Sequence, residues 1–427
     1  MPGTARVYVE VFGCSANAAD SEIASGLLVE AGHALADGPG AADASVVLTC
    51  TVKTPTENKV VRRIRELSAG GMPLVVAGCM PKAQRELVAE AAPNASMVGP
   101  DNLIDIVDVV EETMGGGRVE EIHGGPLDRT CLPRARLNPV VHIAPIASGC
   151  RGSCSYCIVR RARGTLNSYP SDSIVEDARR ALGEGCREIW VTAEDTAAYN
   201  WRGARLPQLL SDLTDLEGRF FVRIGMMNPD QATPLLDDLI ESYGSGKVFK
   251  FLHLPVQSGN DGVLRRMRRR YTVEDFRTIV HRFRGAFTML TLSTDVICGF
   301  PGETEDEFGD SLRLVDEVEP EVLNISRFWP RPGTEAERME GQLHGRDTKR
   351  RSRALSARWR GRSLERSRRW IGWRGEVVVD EEGRGDSMVG RNYAYKPVVV
   401  KEPVDLGDFV SVEVTEARGG YLLGRTF

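Results

Sequence analysis

Three cysteines with the spacing C-x3-C-x2-C lie in residues 148–157, directly after an apolar run over residues 142–147. Cysteine thiolates are the usual ligands of iron–sulfur clusters, and a full ligand set is normally four cysteines. Cys150, Cys154 and Cys157 can therefore bind three irons of a 4Fe–4S cube and leave the fourth iron open for a substrate. A zinc site or chance clustering is the alternative, but zinc sites prefer paired C-x2-C units or histidine partners, and no second pair lies nearby.

Composition limits the kind of protein this chain can be. Its 427 residues are enough for two or three domains, and its hydrophobic (41%) and charged (27%) fractions are ordinary for a globular protein. No apolar run reaches the roughly 18–20 residues of a membrane span. The N-terminus enters a strand pattern without a signal peptide, so we expect a cytoplasmic protein with no membrane partner. The net charge of -5 means that any nucleic-acid site must be local.

Three more cysteines each follow a short apolar run near the N-terminus, and they are, in order, Cys14, Cys50 and Cys79. Helical patterns come next, the first over residues 21–30, so β and α units alternate and predict a parallel sheet with helices on both faces. Ligands of such sheets sit outside the carboxyl ends of the strands. We therefore predict that these three cysteines converge on a second three-thiolate site. The alternative is that each one packs as a small hydrophobic residue.

The central part of the chain predicts a barrel. We divide the chain into an N-terminal domain over residues 1–125, a linker over 126–139 and a central domain over 140–335. Apolar strand patterns and helical patterns alternate there in about six βα units, which predicts a parallel barrel or partial barrel. Polar residues follow the strands, where the active site of such a barrel is built. Three cysteines fall outside both spacings and are predicted to be incidental, namely Cys131, Cys186 and Cys298.

The last part of the chain combines a basic segment over residues 336–371 with short strand patterns over 372–427. The guanidinium group of arginine matches phosphate geometry, so we predict that the basic segment is a helix that meets RNA phosphates. Its proposed contacts are Arg362, Arg366 and Arg369. The alternative is a solvated helix face packed on the barrel. Four strand patterns, over residues 376–380, 397–401, 408–413 and 420–424, predict a small antiparallel barrel of the oligonucleotide-binding kind.

Taken together, these blocks resemble the methylthiotransferases, a branch of the radical S-adenosylmethionine (SAM) enzymes. The Gly-Cys, Thr-Cys and Gly-Cys pairs that end at Cys14, Cys50 and Cys79 match the cysteines of that family's N-terminal domain, and residues 148–164 match its radical SAM loop. The tail resembles its TRAM domain. The resemblance implies two 4Fe–4S clusters, an auxiliary one on the N-terminal cysteines and a radical-generating one on the loop. It also implies that SAM is both methyl donor and radical source.

The resemblance is nearest to the archaeal and eukaryotic members in residues 49–59, 192–196 and 223–229. Those enzymes modify threonylcarbamoyladenosine beside the tRNA anticodon, which implies a tRNA substrate whose carbon-2 hydrogen is replaced by a methylthio group. An electron donor such as ferredoxin or flavodoxin and a sulfur source are implied as partners. The alternatives are isopentenyladenosine tRNA or ribosomal protein uS12 as substrate, another radical SAM reaction on RNA, or a non-catalytic RNA-binding protein with structural clusters.

The same resemblance makes several polar residues candidates for contacts with SAM or the substrate. They lie after predicted barrel strands or after the cysteine loop, and they are Glu194, Asp195, Arg163, Arg223 and Gln257. Each of them has a structural alternative as a hydrogen-bonding or ion-pairing residue.

Overall fold

The N-terminal domain is a six-stranded, fully parallel sheet in a computed structural model that describes residues 4–52 and 54–427. In spatial order its strands are Ala34–Leu35, Arg6–Val11, Ala44–Thr49, Leu74–Gly78, Ser96–Val98 and Glu120–Glu121. Its α-helices are Ser15–Glu30, Thr54–Ala69, Cys79–Ala83, Arg85–Ala91 and Ile106–Met114. Successive side chains of a strand point to opposite faces, so Val46 and Leu48 pack in one apolar cluster and Val47 in another. Both faces are therefore covered, as a parallel sheet requires.

The first helix is longer than its apolar periodicity predicts. It spans Ser15–Glu30 rather than starting at residue 21, because Cys14 has the extended backbone of an N-cap residue and its carbonyl accepts a hydrogen bond from Ala18 N at 3.0 Å. Ten of its 16 residues are buried, and they include the polar residues Asn17 and Asp20. That burial hides the amphipathic pattern from which the helix start was predicted.

The predicted partial barrel is confirmed as six parallel strands that form two three-stranded sheets. The strands are Val141–Pro145, Glu188–Thr192, Phe221–Ile224, Phe251–His253, Thr291–Cys298 and Val322–Arg327. A parallel bridge from Val222 to Val248 joins the two sheets. The α-helices of this domain are Val159–Arg163, Ser171–Gly183, Leu206–Thr214, Pro229–Ala232, Leu236–Gly244, Asp261–Arg266, Val273–Ala286 and Glu305–Val318. Strand and helix side chains form one continuous buried core, which fixes the carboxyl ends of the strands as a rigid platform.

The C-terminal barrel is also confirmed, with one more strand than the sequence patterns indicate. The helix Gly345–Arg368 leads into a closed barrel of strands Arg374–Glu382, Met388–Asn392, Pro397–Val400, Phe409–Ala417 and Leu422–Thr426. Strand Met388–Asn392 was missed because Gly390 interrupts its short apolar pattern, yet it pairs on both sides. One pair of neighbouring strands, Pro397–Val400 and Leu422–Thr426, is parallel, with Val398 opposite Leu422. Closure removes the exposed strand edges of a small sheet.

None of the helices that the structure describes in residues 4–52 and 54–427 is long and apolar enough to cross a membrane. The segment predicted as a linker, residues 126–139, has neither helix nor strand, but it packs closely against the N-terminal helix. Ala135 N donates a hydrogen bond to Glu22 O at 2.9 Å, and Arg129 is almost fully buried. This segment therefore ties the first domain to the barrel.

Candidate active site at two cysteine groups

The cysteine loop, residues 149–157, follows the first barrel strand and leads into the helix Val159–Arg163. Gly149 has a φ of +77°, and a Cβ at this position would lie 2.3 Å from Thr165 O, so only glycine lets the loop turn here. Cys150 N donates to Gly164 O at 3.3 Å, and Cys157 N donates to Cys154 O at 3.1 Å. The loop therefore presents three free, half-buried thiols from one turn of chain.

Two of the three loop sulfurs accept a hydrogen bond from a nitrogen donor. Gly152 N donates to Cys150 Sγ at 3.2 Å, and Arg269 Nη1 donates to Cys154 Sγ at 3.3 Å. Burial raises the pKa of Cys150 to about 11 and that of Cys157 to about 12. These thiols therefore keep their protons until a metal binds and displaces them. Free thiols with N–H donors aimed at the sulfurs fit an iron–sulfur cluster, whose properties depend on such hydrogen bonds.

The second group of cysteines, Cys14, Cys50 and Cys79, is assembled by the sheet. Each lies at the carboxyl end of a parallel strand, as predicted. A Cβ on Gly13, whose φ is +129°, would lie 2.7 Å from Cys50 Cβ, so glycine permits the close approach of the first two strand ends. Burial raises the pKa of Cys79 to about 12. The positive charge of Arg163 lowers this pKa, whereas negative charge on Cys14 and Cys50 raises it further. The three sulfur atoms therefore share one electrostatic environment.

Neither group is spaced for one metal ion. Among the described residues, no three or more His, Cys, Asp or Glu side chains are arranged to hold a single ion. A 4Fe–4S cube makes a different demand, because its thiolates bind separate irons and stand farther apart than the ligands of one ion. Two sets of three free cysteines, without a nearby fourth, therefore suit two clusters that each keep one open iron.

Arg163 lies between the two cysteine groups. It ends the helix that follows the cysteine loop, and it is almost fully buried. Its Nη2 donates to Asn17 Oδ1 and to Asp20 Oδ2, both at 2.7 Å, and its Nε lies 3.3 Å from Glu194 Oε1. Asp20 also receives Arg129 Nε at 2.6 Å. One buried charge network thus connects the N-terminal helix, the linker segment, the cysteine loop and the barrel.

The helices beside the two cysteine groups pack directly on each other. Cys79 and Ala83 of the N-terminal domain share an apolar cluster with Ile158 and Ala162, which follow the cysteine loop. Because this contact lies next to ligand candidates of both groups, the docking of the two domains sets the separation of the two sites.

The three loop cysteines line a cavity of about 440 Å³ at the carboxyl ends of the barrel strands. Val52, two residues after Cys50, lines the same cavity from the N-terminal domain. Much of the remaining lining is apolar and includes Tyr156, Met226, Met227, Ile297, Phe328 and Trp329. A mainly apolar cleft with a few polar groups is typical of a site for a cofactor or another small organic group.

Two of the predicted contact residues line this cavity, namely Glu194 and Gln257. Burial raises the pKa of Glu194, although the nearby Arg163 lowers it. Gln257 has a φ of +67°, and two backbone hydrogen bonds hold it, one to Asp295 O at 2.8 Å and one from Ile297 N at 2.9 Å. A left-handed backbone at a non-glycine residue is a feature that clusters at functional sites.

Asp195 lies beside an adjoining polar cavity of about 470 Å³, which Cys150 and Cys154 also line. Its carboxylate accepts hydrogen bonds from Asn228 N at 3.0 Å and Asn228 Nδ2 at 2.8 Å. Burial raises the pKa of Asp195 to about 6, against the lowering effect of these hydrogen bonds. Asp195 is therefore held in place by Asn228 beside a cavity that it shares with two of the loop cysteines.

The structure places Arg223 elsewhere. Its guanidinium group lies 5.0–5.1 Å from the ring centroids of Trp190, Phe251 and Tyr395. Tyr395 belongs to the C-terminal barrel, and Arg223 is not among the residues that line either cavity. This position favours the structural alternative, in which Arg223 joins the central and C-terminal domains.

Sequence reasoning missed several residues of the site. Arg269 links Cys154 to Tyr271, whose hydroxyl accepts from Arg269 Nε at 3.0 Å, and it also donates to Asn228. It lies in the arginine-rich residues 265–270, a pattern that by itself indicates only a solvated basic stretch. Asp20 was missed because it falls in a helix whose start was predicted after it. Asn228 lies in a segment that the sequence analysis did single out, after a barrel strand.

The basic helix, Gly345–Arg368, shows two kinds of arginine. Arg366 is largely buried, and it pairs with Glu319 at 3.2 Å and with Glu321. Arg362 is half exposed beside Glu319, at 3.5 Å, and Arg369 is exposed next to the end of the helix. The location of Arg366 favours packing on the barrel, whereas Arg362 and Arg369 are accessible to a phosphate.

Comparisons with known proteins agree with this architecture. The Radical SAM superfamily profile matches residues 145–315, the Uncharacterized protein family UPF0004 profile matches residues 6–99, and the TRAM domain profile matches residues 368–427. Among solved structures, the radical S-adenosylmethionine methyltransferase TsrM from Kitasatospora setae has a TM-score of 0.57 at 13% identity, covering 89% of this chain and 79% of that one. At this identity the likeness shows the fold alone.

Similarity to known protein sequences extends over nearly the whole chain. A protein of Methanothermobacter thermautotrophicus, named a probable threonylcarbamoyladenosine tRNA methylthiotransferase, is 42% identical over 98% of this chain and 99% of its own length. The human threonylcarbamoyladenosine tRNA methylthiotransferase is 36% identical over 100% of this chain and 74% of its own length. With the fold, the two cysteine groups and the TRAM barrel in place, the chain belongs to the family of threonylcarbamoyladenosine tRNA methylthiotransferases, within the radical SAM superfamily.

Proposed function

We propose that this protein replaces the hydrogen on carbon 2 of threonylcarbamoyladenosine, beside the tRNA anticodon, with a methylthio group. The observation that carries the proposal is the presence of two three-cysteine groups in directly packed domains, with the loop group lining a cavity that Val52 of the N-terminal domain also lines. The chain is also 36–42% identical to relatives of that name. The target C–H bond is strong and unactivated, so acid–base chemistry alone does not break it. This is the kind of chemistry that a protein leaves to a cofactor.

The cofactors of this family are SAM and two 4Fe–4S clusters. When bound, they supply a carbon radical for hydrogen abstraction and the methylthio group that replaces the hydrogen. In the proposal, Cys150, Cys154 and Cys157 hold the radical-generating cluster. The auxiliary cluster is held by the three strand-end cysteines, Cys14, Cys50 and Cys79.

The chain's own polar groups then position the reacting molecules. Glu194 and Gln257 reach into the cavity and are the proposed contacts to SAM or the adenine. Asp195, held by Asn228, serves the same purpose at the adjoining polar cavity. Arg163 acts as a positioning residue, because its guanidinium group already contacts Asn17, Asp20 and Glu194. The apolar lining excludes water, which protects a reactive carbon radical.

The partners follow from the same proposal. The TRAM barrel and the exposed arginines Arg362 and Arg369 are the proposed RNA contacts outside the cavity. The reaction needs an electron donor such as ferredoxin or flavodoxin and a sulfur source, and a cytoplasmic location belongs to the proposal as well.

The test is anaerobic reconstitution with iron and sulfide, followed by incubation with SAM, a reductant and tRNA that carries threonylcarbamoyladenosine. Mass spectrometry of the digested nucleosides should show its 2-methylthio derivative. If 5′-deoxyadenosine is released without that product, the radical chemistry stands and the proposed substrate fails. Isopentenyladenosine tRNA and ribosomal protein uS12 would then be offered under the same conditions.

A further inference from the structure

The cavity beside the cysteine loop is lined by three arginines, Arg269, Arg327 and Arg331. A cation in a partly apolar cavity usually has a partner, because removing a charge from water is costly. The partners of these three arginines therefore indicate which of them is available to a ligand.

Two of the three are engaged within the protein. Arg269 donates to the sulfur of Cys154, to the hydroxyl of Tyr271 and to Asn228. Arg331 is almost fully buried and connects the barrel to the N-terminal domain, where it donates to Thr51, Gln84 and Glu57. Both guanidinium groups hold the site together.

Arg327 differs from both. It is half-buried at the carboxyl end of the strand Val322–Arg327, in register with Cys298. Across the described ranges 4–52 and 54–427, no hydrogen bond or ion pair engages its guanidinium group. Its Cζ atom lies 4.7 Å from the ring centroid of Trp329, which also lines the cavity. The aromatic ring stabilises the charge and leaves the N–H edge of the guanidinium group available.

The carboxylates of the cavity do not neutralise this charge. Glu194 lies 3.3 Å from Arg163, and Asp295 Oδ2 lies 2.7 Å from His253 Nε2. Both acids are thus engaged with other partners. Of the three cavity arginines, Arg327 is therefore the one whose N–H groups have no partner among the described residues, and it lies on an aromatic ring. Such a group is complementary to an anionic planar group such as a carboxylate.

We propose that Arg327, stacked on Trp329, binds the carboxylate of the threonylcarbamoyl group and thereby selects threonylcarbamoyladenosine over adenosines with an apolar N6 substituent. This inference rests on the proposed function and names the group of the substrate that Arg327 recognises. A site that is built to pair with a charged group discriminates strongly against an analogue that lacks it, because the cation is then left unpaired.

SAM offers a carboxylate as well, so the two sources must be separated. In the proposed function, the open iron of the loop cluster is the site for the methionine part of SAM. The cysteine loop that would hold this cluster follows the first barrel strand, Val141–Pro145. Arg327 ends the last barrel strand, at the outer edge of the other three-stranded sheet. The loop cysteines and Arg327 therefore enter the shared cavity from strands at opposite edges of the partial barrel, so the proposal gives Arg327 to the RNA substrate, and the SAM affinity of the variant tests the other source.

The test is a binding measurement on the reconstituted full chain with two anticodon stem-loops. One carries threonylcarbamoyladenosine, and the other carries the same nucleoside with its carboxylate coupled to methylamine, which removes the charge. The wild type should bind the carboxylate form about 10- to 100-fold more tightly, as expected for a hydrogen-bonded charge pair. Arg327→Gln should bind both forms equally. Arg327→Lys should keep part of the preference, because lysine keeps the positive charge but lacks the paired N–H donors of the guanidinium group.

The matched control is Arg338→Gln, which removes the same charge at an exposed position outside the cavity and should keep the wild-type preference. SAM affinity, measured on the same preparations by equilibrium dialysis, should be unchanged in Arg327→Gln, and the thermal unfolding midpoint of each variant checks its fold separately. The inference is overturned if Arg327→Gln keeps the preference for the carboxylate form, or if it loses SAM affinity instead.

The two proposals fail in distinguishable ways. If the wild type prefers the carboxylate form and yields no methylthio product, the proposed function fails, but recognition of the carboxylate by Arg327 stands. If the wild type thiomethylates both RNAs with equal efficiency and binds them equally, the proposed function stands and the role of Arg327 is refuted.

Discussion

The two cysteine groups of this protein are built in different ways. Cys150, Cys154 and Cys157 lie within eight residues of one loop, and all three are half-buried. Cys14, Cys50 and Cys79 come from three strand ends, and they range from exposed Cys14 to buried Cys50 and Cys79. A local loop sets the first group, whereas the second exists only when the parallel sheet is in register. The same donor set therefore depends on local chain geometry in one case and on the fold of a whole domain in the other.

Their surroundings differ as well. The loop sulfurs receive N–H donors, one from the backbone of Gly152 and one from Arg269. The strand-end group borders a buried charge network in which Asp20 joins Arg129 and Arg163. Changes at the loop should therefore act on the radical step, and changes around the strand-end group should act on domain docking and on sulfur transfer.

The largest effect is expected at the loop. Replacement of Cys150, Cys154 and Cys157 by Ala should abolish SAM cleavage, because all ligands of the radical-generating cluster are then lost, and it should halve the iron content. The checks are 5′-deoxyadenosine by mass spectrometry and iron per chain. A matched triple variant, Cys131→Ala with Cys186→Ala and Cys298→Ala, removes the three cysteines outside both groups and should retain cleavage. Preserved cleavage in the loop variant would refute the assignment.

A second large effect is expected where the two domains meet. Asp20→Asn removes a buried carboxylate that faces two buried guanidinium groups, and breaking such a pair costs about 3–5 kcal/mol of unfolding free energy. Glu184→Gln, which breaks the more exposed ion pair with Arg136, should cost less than about 1 kcal/mol. Denaturant unfolding of both variants measures this difference. Equal small losses would show that the network does not hold the domains together.

The pH dependence of the same pair sharpens this test. Burial raises the pKa of Asp20, but Arg129 and Arg163 outweigh it, so the net pKa lies below its usual value. A depressed carboxyl pKa stabilises the fold above the unfolded value of about 3.9, and this contribution is lost as the pH falls through the folded pKa. The stability gap between wild type and Asp20→Asn should therefore be full at pH 7 and shrink below about pH 4. A gap that grows on acidification would contradict this sign.

The smallest effect is expected at the RNA-facing helix. Neutralising Arg362 and Arg369 together should weaken tRNA binding and lower its log–log salt slope by under about two units, at somewhat less than one unit per phosphate contact. SAM cleavage by this double variant in the absence of tRNA should be unchanged, because neither Arg362 nor Arg369 lines either cavity. Arg366→Gln, the control from the buried side of the helix, should lower stability instead. An unchanged slope in the double variant would leave the helix as a packing element.

The sequence predicted the elements that have local patterns. The loop spacing, the strand runs before Cys14, Cys50 and Cys79, and the six βα units are all visible as short-range periodicity, and the structure confirms the fold they indicate. The predicted start of the first helix was wrong because its first two turns bury polar residues such as Asn17 and Asp20, so the sequence there carries no amphipathic signal.

Residues whose roles come from tertiary contacts could not be predicted in this way. Arg269 is one of five arginines in residues 265–270, and only the fold brings it to Cys154. Arg223 was predicted to follow a strand like the true cavity residues, yet it lies within the strand Phe221–Ile224. Its side chain packs against Tyr395, about 170 residues later in the chain. Arg327 differs from Arg331 by its partners, which the sequence does not contain.

The most direct test of the account is the product distribution of the triple variant of Cys14, Cys50 and Cys79 to Ala, assayed with SAM, reductant and threonylcarbamoyladenosine tRNA. Mass spectrometry would quantify 5′-deoxyadenosine and the 2-methylthio nucleoside in the same reaction. The account predicts that SAM cleavage persists while the methylthio product disappears, since the loop group is intact and the strand-end group is gone. Methylthio product at the wild-type rate would contradict the account and show that the three strand-end cysteines only pack.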